Sequence, residues 1–146
     1  MRIELTDQPL ESDESFVIAQ TRGYNATFTE RDVRPLCVFN RNDSGEIVAG
    51  LTGRTYWNYL EVEFLWVSEA HRGLGIATQL MEKAESEAIA RGCQFSQLDT
   101  FSFQALGFYE RLGYREFGRL NGFCGRHTRH FLSKAIGTGV SQLNKQ

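Results

Sequence analysis

The most regular pattern of hydrophobic and polar positions in this chain lies in residues 74–91, where apolar side chains recur every three to four positions. Such spacing is typical of an amphipathic α-helix that turns one face toward a core. Gly92 follows Arg91 and can adopt the left-handed backbone that commonly ends a helix. We therefore expect a helix over 74–91, with these residues on its apolar face: Ile76, Ala77, Leu80, Met81, Ala84, Ala88 and Ile89.

Segments with the composition of β-strands lie on both sides of this helix. Those before it are residues 36–40, 46–54 and 60–68. Asn, Asp, Ser and Gly at 42–45 fit a hairpin turn, and a second turn is expected near Trp57 and Asn58. Those after it are residues 95–102, 114–120 and 127–134, with a short helix over 104–113. Residues 12–28 lack clean alternation and predict one or two short helices.

The order of these elements predicts a mixed α/β, or α+β, domain. The strand over 60–68, the helix over 74–91 and the strand over 95–101 form a crossover unit, which is right-handed by default. Its glycine-containing turn lies at the carboxyl end of the first strand, where open sheets gather their ligands. No repeat or linker divides the sequence, so we expect a single domain over 1–136 and a flexible tail over 137–146.

Composition limits the classes of function that the chain can serve. The 146 residues are 41% hydrophobic and 23% charged, with 16 Lys and Arg against 18 Asp and Glu. These values are typical of one soluble globular domain. The balance of charge gives no basic surface of the kind that captures a phosphate backbone, so nucleic acid is not an expected partner.

Signals for a membrane or for export are missing from the pattern. No segment approaches the roughly 18 apolar residues of a membrane helix, and charges stand at the second, fourth and seventh positions, where a signal peptide would be apolar. Cys37, Cys93 and Cys124 are odd in number and widely spaced, so we expect buried thiols in a reducing compartment rather than disulfides. The expectation is a cytoplasmic protein with no membrane partner.

The turn before the crossover helix, HRGLGIATQL at 71–80, is the strongest candidate for a binding site. The first turn of a helix exposes free N–H groups, and two glycines let a ligand approach the backbone closely. Arg72 adds a fork of donors for oxygen atoms. The sequence therefore predicts a site for a phosphate-type anion. The spacing is not that of a Walker loop, and Thr78 stands where a dinucleotide fingerprint needs its third glycine or alanine.

Arg72, Gly75 and Ala77 form the pattern R-x-x-G-x-A, which resembles the acyl-CoA loop of the GNAT superfamily of N-acetyltransferases. FLWVSEAHRGLGIATQLM is similar to the strand, loop and helix of that family, and QALGFYERLGYREFG is similar to its later helix and strand. The resemblance covers residues 36–134. It implies a GNAT-like fold: a twisted, mostly antiparallel sheet of six to seven strands with a splayed parallel pair, flanked by about four helices.

The resemblance also implies acetyl-CoA as a co-substrate. Its pyrophosphate is expected on the amides of the turn and its pantetheine arm along the strand that ends at Val67, with backbone contacts from Trp66 and Val67. An Asn often opens the later helix in the family and contacts the cofactor, whereas this chain has Gln104. The expected contact residues are Trp66, Val67, Arg72, Gly73, Leu74, Gly75, Ile76, Ala77, Thr78, Gln104 and Phe108.

Acetyl transfer from a thioester requires a base for the amine proton, stabilisation of the carbonyl oxygen and a donor to the leaving thiolate. Glu61 and Glu63 alternate onto one face of the strand beside the expected arm, and either is a candidate for the base. By resemblance, Glu61 stands where some members of the family carry theirs. Tyr109 in GFYERLG stands at the family's usual proton donor, and we expect it to act mainly through a hydrogen bond to the thiolate.

A metal site is not expected. Cys124, His127 and His130 are residue types that bind zinc, but structural zinc nearly always needs four ligands. An odd separation within a strand also places the two histidines on opposite faces.

These features predict an N-acetyltransferase that acts on a primary amine of a small molecule. Two alternatives stay open: acetylation of protein or peptide amines, and a non-catalytic acyl-CoA-binding module with a regulatory role. The two edges of the predicted sheet leave room for a homodimer. The sequence does not identify the amine.

Overall fold

The computed structural model describes residues 1–137, which divide into two compact units, Met1–Asp32 and the residues from Val33 onward. The first unit contains helix α1, Glu11–Asn25, as predicted for this region. Acidic residues in its first turn and Arg22 in its last turn match the helix dipole. The predicted flexible tail lies outside the described residues from position 138 onward.

The second unit contains a six-stranded sheet in the order β1-β2-β3-β4-β6-β5. The strands are β1 Val33–Arg41, β2 Ile47–Tyr56, β3 Tyr59–Val67, β4 Phe95–Phe101, β5 Arg115–Phe123 and β6 His127–Ala135. The β3–β4 pair is parallel and the other pairs are antiparallel. Helices α2, Ile76–Ala90, and α3, Leu106–Arg111, and a short 3₁₀ turn, Glu69–His71, complete the unit. The predicted mixed fold is confirmed, with three α-helices in residues 1–137 rather than four.

Helix α2 packs its apolar face on strands β1, β2 and β3. It buries Leu80, Met81, Ala84 and Ala88, as the helical periodicity predicts. Ile89 is 44% exposed, so its predicted place on the buried face is wrong. Successive residues are about 100° apart around a helix, and Ile89 therefore falls on the flank beside Ala88. Gly92 has a φ of 90° directly after the helix, which confirms the predicted stop.

Strand β3 contains an irregularity that strand alternation alone does not predict. In the β2–β3 pairing Thr52 lies opposite Phe64 and Gly53 lies opposite Val62, which leaves Glu63 as an extra residue. This arrangement is a β-bulge. A Cβ at Gly53 would lie 2.3 Å from the Glu61 carbonyl oxygen, so only glycine allows β2 to approach β3 this closely.

None of the three cysteines forms a disulfide within residues 1–137, and the prediction that they are buried holds only for Cys93. Cys37 is exposed because it follows buried Leu36 in β1 and therefore faces the other side of the strand. Cys124 is exposed in the turn between β5 and β6. In residues 1–137 no helix is long and apolar enough to cross a membrane.

Candidate active site

Strands β3 and β4 separate soon after they begin, which confirms the predicted splayed pair. Their backbone pairing is confined to Tyr59 with Phe95, Leu60 with Ser96 and Glu61 with Gln97. Beyond this point β3 stays paired with β2 as far as Val67, and β4 stays paired with β6 as far as Phe101. A wedge therefore opens between the two strands, and the backbone groups along its sides are free to bind an extended ligand.

The wedge continues as a cleft made of three adjoining cavities. The inner cavity, of about 570 Å³, begins at Glu61 and Gln97, and the loop cavity surrounds the start of α2. The middle cavity joins them: it shares Glu63, Phe64 and Asp99 with the inner cavity, and Val67, Arg72, Ala77 and Phe108 with the loop cavity. One continuous cleft thus runs along β3 from Glu61 to the first turn of α2.

The loop cavity has the backbone of an anion site. Gly73 and Gly75 have φ values of 77° and 78°, a left-handed conformation that favours glycine. A Cβ at either position would meet no atom within 4 Å, so backbone conformation rather than packing requires these glycines. The N-cap of α2 is Gly75, so no capping side chain occupies the N–H groups of the first turn, and this turn carries no acidic residue. The N–H groups of this turn therefore face the cavity without a competing carboxylate.

The structure places most of the predicted cofactor contacts in the cleft. Residues that line the middle or loop cavity are Val67, Arg72, Gly73, Gly75, Ile76, Ala77, Thr78, Gln104 and Phe108. Trp66 and Leu74 line neither, and both have exposed side chains. Arg111 of α3 also lines the loop cavity and was not predicted. Its spacing of three residues from Phe108, one turn of α3, is the signal that could have found it.

Two of these side chains are already engaged within the protein. Arg72 donates from Nε to the Val67 carbonyl oxygen at 3.1 Å, which joins the loop to the end of β3. Gln104 Oε1 accepts the Phe101 N–H at 2.8 Å and the Thr100 hydroxyl at 3.3 Å. The amide oxygen of Gln104 therefore holds the end of β4, and its NH₂ group remains for a ligand.

Tyr109 of α3 lines the middle cavity and is 8% exposed. Its hydroxyl forms no hydrogen bond with residues 1–137, and in this part of the chain no buried side-chain oxygen lacks a partner. The hydroxyl must therefore reach the solvent of the cleft. Burial, together with the negative charge of Asp99, raises the pKa of Tyr109 above its ordinary value of 10.0. Tyr109 consequently presents a neutral O–H donor at neutral pH.

Glu61 and Glu63 line the inner cavity together, as their predicted common face requires. Glu61 accepts a hydrogen bond from the Arg54 guanidinium at 3.4 Å. Glu63, on the bulge, has no partner within residues 1–137 and lines the middle cavity with Tyr109 as well. Burial and the negative charge of Glu61 raise the pKa of Tyr56, so this hydroxyl stays protonated.

An ion pair and aromatic rings complete the inner cavity, and sequence reasoning missed them. Asp99 of β4 pairs with Arg129 of β6. The Arg129 guanidinium lies 5.9 Å and 5.0 Å from the ring centroids of Phe101 and Phe131. The alternation of Gln97, Asp99 and Phe101 onto one face of β4 is the signal that could have found this wall.

The zinc-type residues near the C-terminal hairpin are separated from each other. His130 is buried and its Nδ1 lies 3.1 Å from Glu116 Oε1, whereas His127 Nδ1 lies 3.1 Å from the Ser102 hydroxyl. The two histidines therefore occupy opposite faces of β6, as predicted. Across residues 1–137 no group of three His, Cys, Asp or Glu side chains is placed to hold a metal ion.

Two parallel strands that separate beside the glycine-rich start of a helix are typical of one class of acyltransferases. The model of the Acetyltransferase (GNAT) family matches residues 4–114, more than half of the chain. The chain belongs to the GNAT family, whose members use acetyl-CoA, and it is an acetyl-transferring enzyme.

Individual relatives agree with this assignment. The chain is 45% identical over 98 residues to acetyltransferase Atu2258 of Agrobacterium fabrum, a match that covers 66% of this chain and 72% of that protein. It is 38% identical over 109 residues to blasticidin-S acetyltransferase of Streptomyces morookaense, covering 72% and 80%. A crystal structure from Agrobacterium tumefaciens superposes with a TM-score of 0.87 at 37% identity, covering 92% of this chain and 99% of the other.

Proposed function

We propose that this enzyme is an N-acetyltransferase that transfers the acetyl group of acetyl-CoA to a primary amine of a small molecule, by direct attack while both substrates are bound. The observation that carries the proposal is the continuous cleft from the first turn of α2 to Glu61. One end has the features of a phosphate site, the middle holds a hydroxyl donor, and the other end holds carboxylates.

The loop and middle cavities fit coenzyme A on the basis of their own chemistry. The free N–H groups of Ile76, Ala77 and Thr78 and the side chain of Arg72 suit the pyrophosphate. The unpaired edge of β3 between Glu63 and Val67 suits the amide groups of the pantetheine arm, which bind there as an added strand would. Acetyl-CoA supplies the thioester, whose carbonyl carbon is the electrophile.

Different residues around the thioester position carry out the remaining steps of the reaction. The amine nitrogen forms a bond to the carbonyl carbon, the bond from that carbon to sulfur breaks, and CoA leaves as a thiolate that takes a proton from water. We assign the amine proton to Glu61, reached directly or through one water, because the Arg54 guanidinium at 3.4 Å holds this carboxylate at the closed end of the cleft. The Tyr109 hydroxyl donates a hydrogen bond to the leaving sulfur. Because its pKa is raised, this hydrogen bond stabilises the thiolate while complete proton transfer stays uphill.

A small-molecule acceptor is supported by the walls of the inner cavity and by one relative. The side chains of β3, β4 and β6 line this cavity of about 570 Å³, a volume in the range of pockets for small ligands. The relative named blasticidin-S acetyltransferase is named for a small molecule rather than for a protein substrate.

Calorimetric titration with acetyl-CoA, combined with a thiol-release assay against a panel of primary amines and short peptides, tests this function. We expect one acetyl-CoA to bind per chain and thiol release with small amines. Binding without release for any acceptor would support a regulatory module instead. Release confined to peptides with a free amine would support a peptide acetyltransferase, and no binding would overturn the proposal.

A further inference from the structure

Asp99 lies where the inner and middle cavities meet, and it lines both of them. Only two other residues share this position, Glu63 and Phe64 of β3. Asp99 projects from β4, so the carboxylates of Glu63 and Asp99 stand on the two sides of the wedge. A group bound where the two cavities meet therefore lies near both carboxylates.

The hydrogen bonds of Asp99 leave one of its oxygens unused. Arg129 donates from Nε to Asp99 Oδ2 at 3.0 Å and from a second guanidinium nitrogen to the same oxygen. In residues 1–137 no donor contacts Oδ1. A carboxylate oxygen accepts strong hydrogen bonds from cations, so Oδ1 is a fixed acceptor that is available to a ligand.

The charge of the inner cavity favours a cation. Its lining contains three carboxylates, Glu61, Glu63 and Asp99, against one guanidinium, Arg129. Asp99 also lines the middle cavity with Tyr109; burial first and the negative charge of Asp99 second raise the pKa of that tyrosine. An ammonium group that enters the wedge is therefore attracted from both strands.

The remaining walls are aromatic. Phe64, Phe101 and Phe131 line the inner cavity, and Phe64 is 73% exposed, which is high for a phenylalanine in a sheet. The Arg129 guanidinium lies within 6 Å of the ring centroids of both Phe101 and Phe131, at 5.9 Å and 5.0 Å. These rings provide apolar surface beside the carboxylates.

We propose that Asp99 is a specificity-determining residue whose Oδ1, together with Glu63, binds the ammonium of an amine attached to an aromatic or planar group, and that Arg129 is the positioning residue that holds Asp99 for this role. The inference rests on the proposed acetyl transfer to a small amine and names its substrate class. The step is the transfer described above, preceded by the loss of one ammonium proton to water, which frees the nitrogen lone pair. The nitrogen–carbon bond then forms, the carbon–sulfur bond breaks and the second proton of the nitrogen goes to Glu61.

Two acceptors of nearly equal shape separate charge from fit. 2-Phenylethylamine is a cation at neutral pH, whereas O-benzylhydroxylamine, in which an oxygen replaces one methylene, is neutral. Thiol release is measured with both acceptors for the wild type, for Asp99→Asn and for Asp43→Asn, a control in the exposed β1–β2 turn. Asp99→Asn is expected to raise KM for 2-phenylethylamine about 10-fold or more, since a charge-assisted hydrogen bond is lost. Loss of the Asp99 charge next to Tyr109 affects both acceptors alike, so the ratio of kcat/KM for 2-phenylethylamine to kcat/KM for O-benzylhydroxylamine is expected to fall about 10-fold.

The possible outcomes distinguish a failure of this inference from a failure of the proposed function. If Asp99→Asn changes both acceptors equally, the role of Asp99 is structural and the inference is overturned. If aliphatic diamines are acetylated but neither aromatic compound is, the substrate class is wrong although the acetyltransferase stands. If no acceptor releases thiol, the proposed function falls together with the inference. Should Asp99→Asn fail to fold, Asp99→Ser is measured instead, and turnover of the neutral acceptor verifies that the variant is folded.

Discussion

Glu61 of β3 and Gln97 of β4 form the last backbone pair of the parallel ladder. Gln97 Nε2 donates to the Tyr56 hydroxyl oxygen of β2 at 2.9 Å, and the negative charge of Glu61 raises the pKa of the same hydroxyl. Side chains from three adjacent strands thus meet at the point where the parallel strands diverge. The proposed base stands there, at the closed end of the wedge.

The two glutamates of β3 are expected to differ in their effect on kinetics. Glu61→Gln removes the proposed base, so kcat should fall by about 10²- to 10⁴-fold with little change in KM. Glu63→Gln removes only one of two charges near the ammonium, so KM should rise by about 10-fold while kcat is largely kept. Steady-state kinetics with one amine measures both. A larger loss of kcat in Glu63→Gln than in Glu61→Gln would exchange the two roles.

Replacement of Tyr109 by Phe removes the hydroxyl and retains the ring. Because the hydroxyl is expected to contact only the developing thiolate, kcat should fall by about 10- to 100-fold with an unchanged Kd for acetyl-CoA. Tyr114→Phe is a matched control, since its hydroxyl bonds Ser96 at 2.7 Å and Glu85 at 3.1 Å away from the cleft. An equal loss of kcat and of acetyl-CoA affinity in Tyr109→Phe would argue against a role in catalysis.

The left-handed glycine at the start of α2 is expected to control acetyl-CoA affinity. In Gly75→Ala the Cβ is strained at a φ of 78°, at a cost of about 1–2 kcal/mol. If the loop shifts to relieve this strain, acetyl-CoA should bind about 5- to 30-fold more weakly by calorimetry. Gly125→Ala meets the same strain, at a φ of 76°, in the β5–β6 turn and should leave affinity unchanged. If both variants bind acetyl-CoA with equal affinity, the turn before α2 is not part of the cofactor site.

The bulge in β3 is expected to depend on Gly53. A Cβ in Gly53→Ala would collide with backbone, at 2.3 Å from the Glu61 carbonyl oxygen, so the free energy of unfolding should fall by about 1–3 kcal/mol. Activity should fall as well, because a shift of the bulge displaces the side chains of Glu61 and Glu63. Gly118→Ala in β5 has open space around its Cβ and serves as the control in urea denaturation. A Gly53→Ala protein as stable and active as Gly118→Ala would contradict this account.

Stability is expected to decline at alkaline pH because of a buried tyrosine. Burial and the charge of Glu85 raise the pKa of Tyr114 well above 10.0. Below pH 10 the hydroxyl is protonated in both the folded and the unfolded chain, so its contribution to stability is complete. Above about pH 10 the unfolded chain ionises first, and the free energy of unfolding should fall by about 1.4 kcal/mol per pH unit for this group. Urea denaturation at several pH values should show a shallower decline in Tyr114→Phe, and an unchanged slope would refute the assignment.

Much of the fold is predictable because its signals are local. The face of α2 is set by a 3.6-residue period, and the glycines at 73 and 75 are required by the backbone conformation of the turn itself. The exposed Cys37 and Cys124 and the half-exposed Ile89 were not predictable from residue type, because their exposure depends on which face the neighbouring elements cover.

The candidate site likewise has features that the sequence predicts and features that depend on the tertiary structure. The sequence by itself determined the order of the strands along the chain, the glycine turn before α2 and the candidate residues Glu61, Glu63 and Tyr109, since each of these lies in a contiguous segment. Only the tertiary structure decided that Glu63 stands on a bulge opposite Gly53, and that Asp99 and Arg129, 30 positions apart, meet across β4 and β6. Strand register and divergence depend on hydrogen bonds between segments that are distant in the chain, and no local pattern encodes which backbone groups are left unpaired.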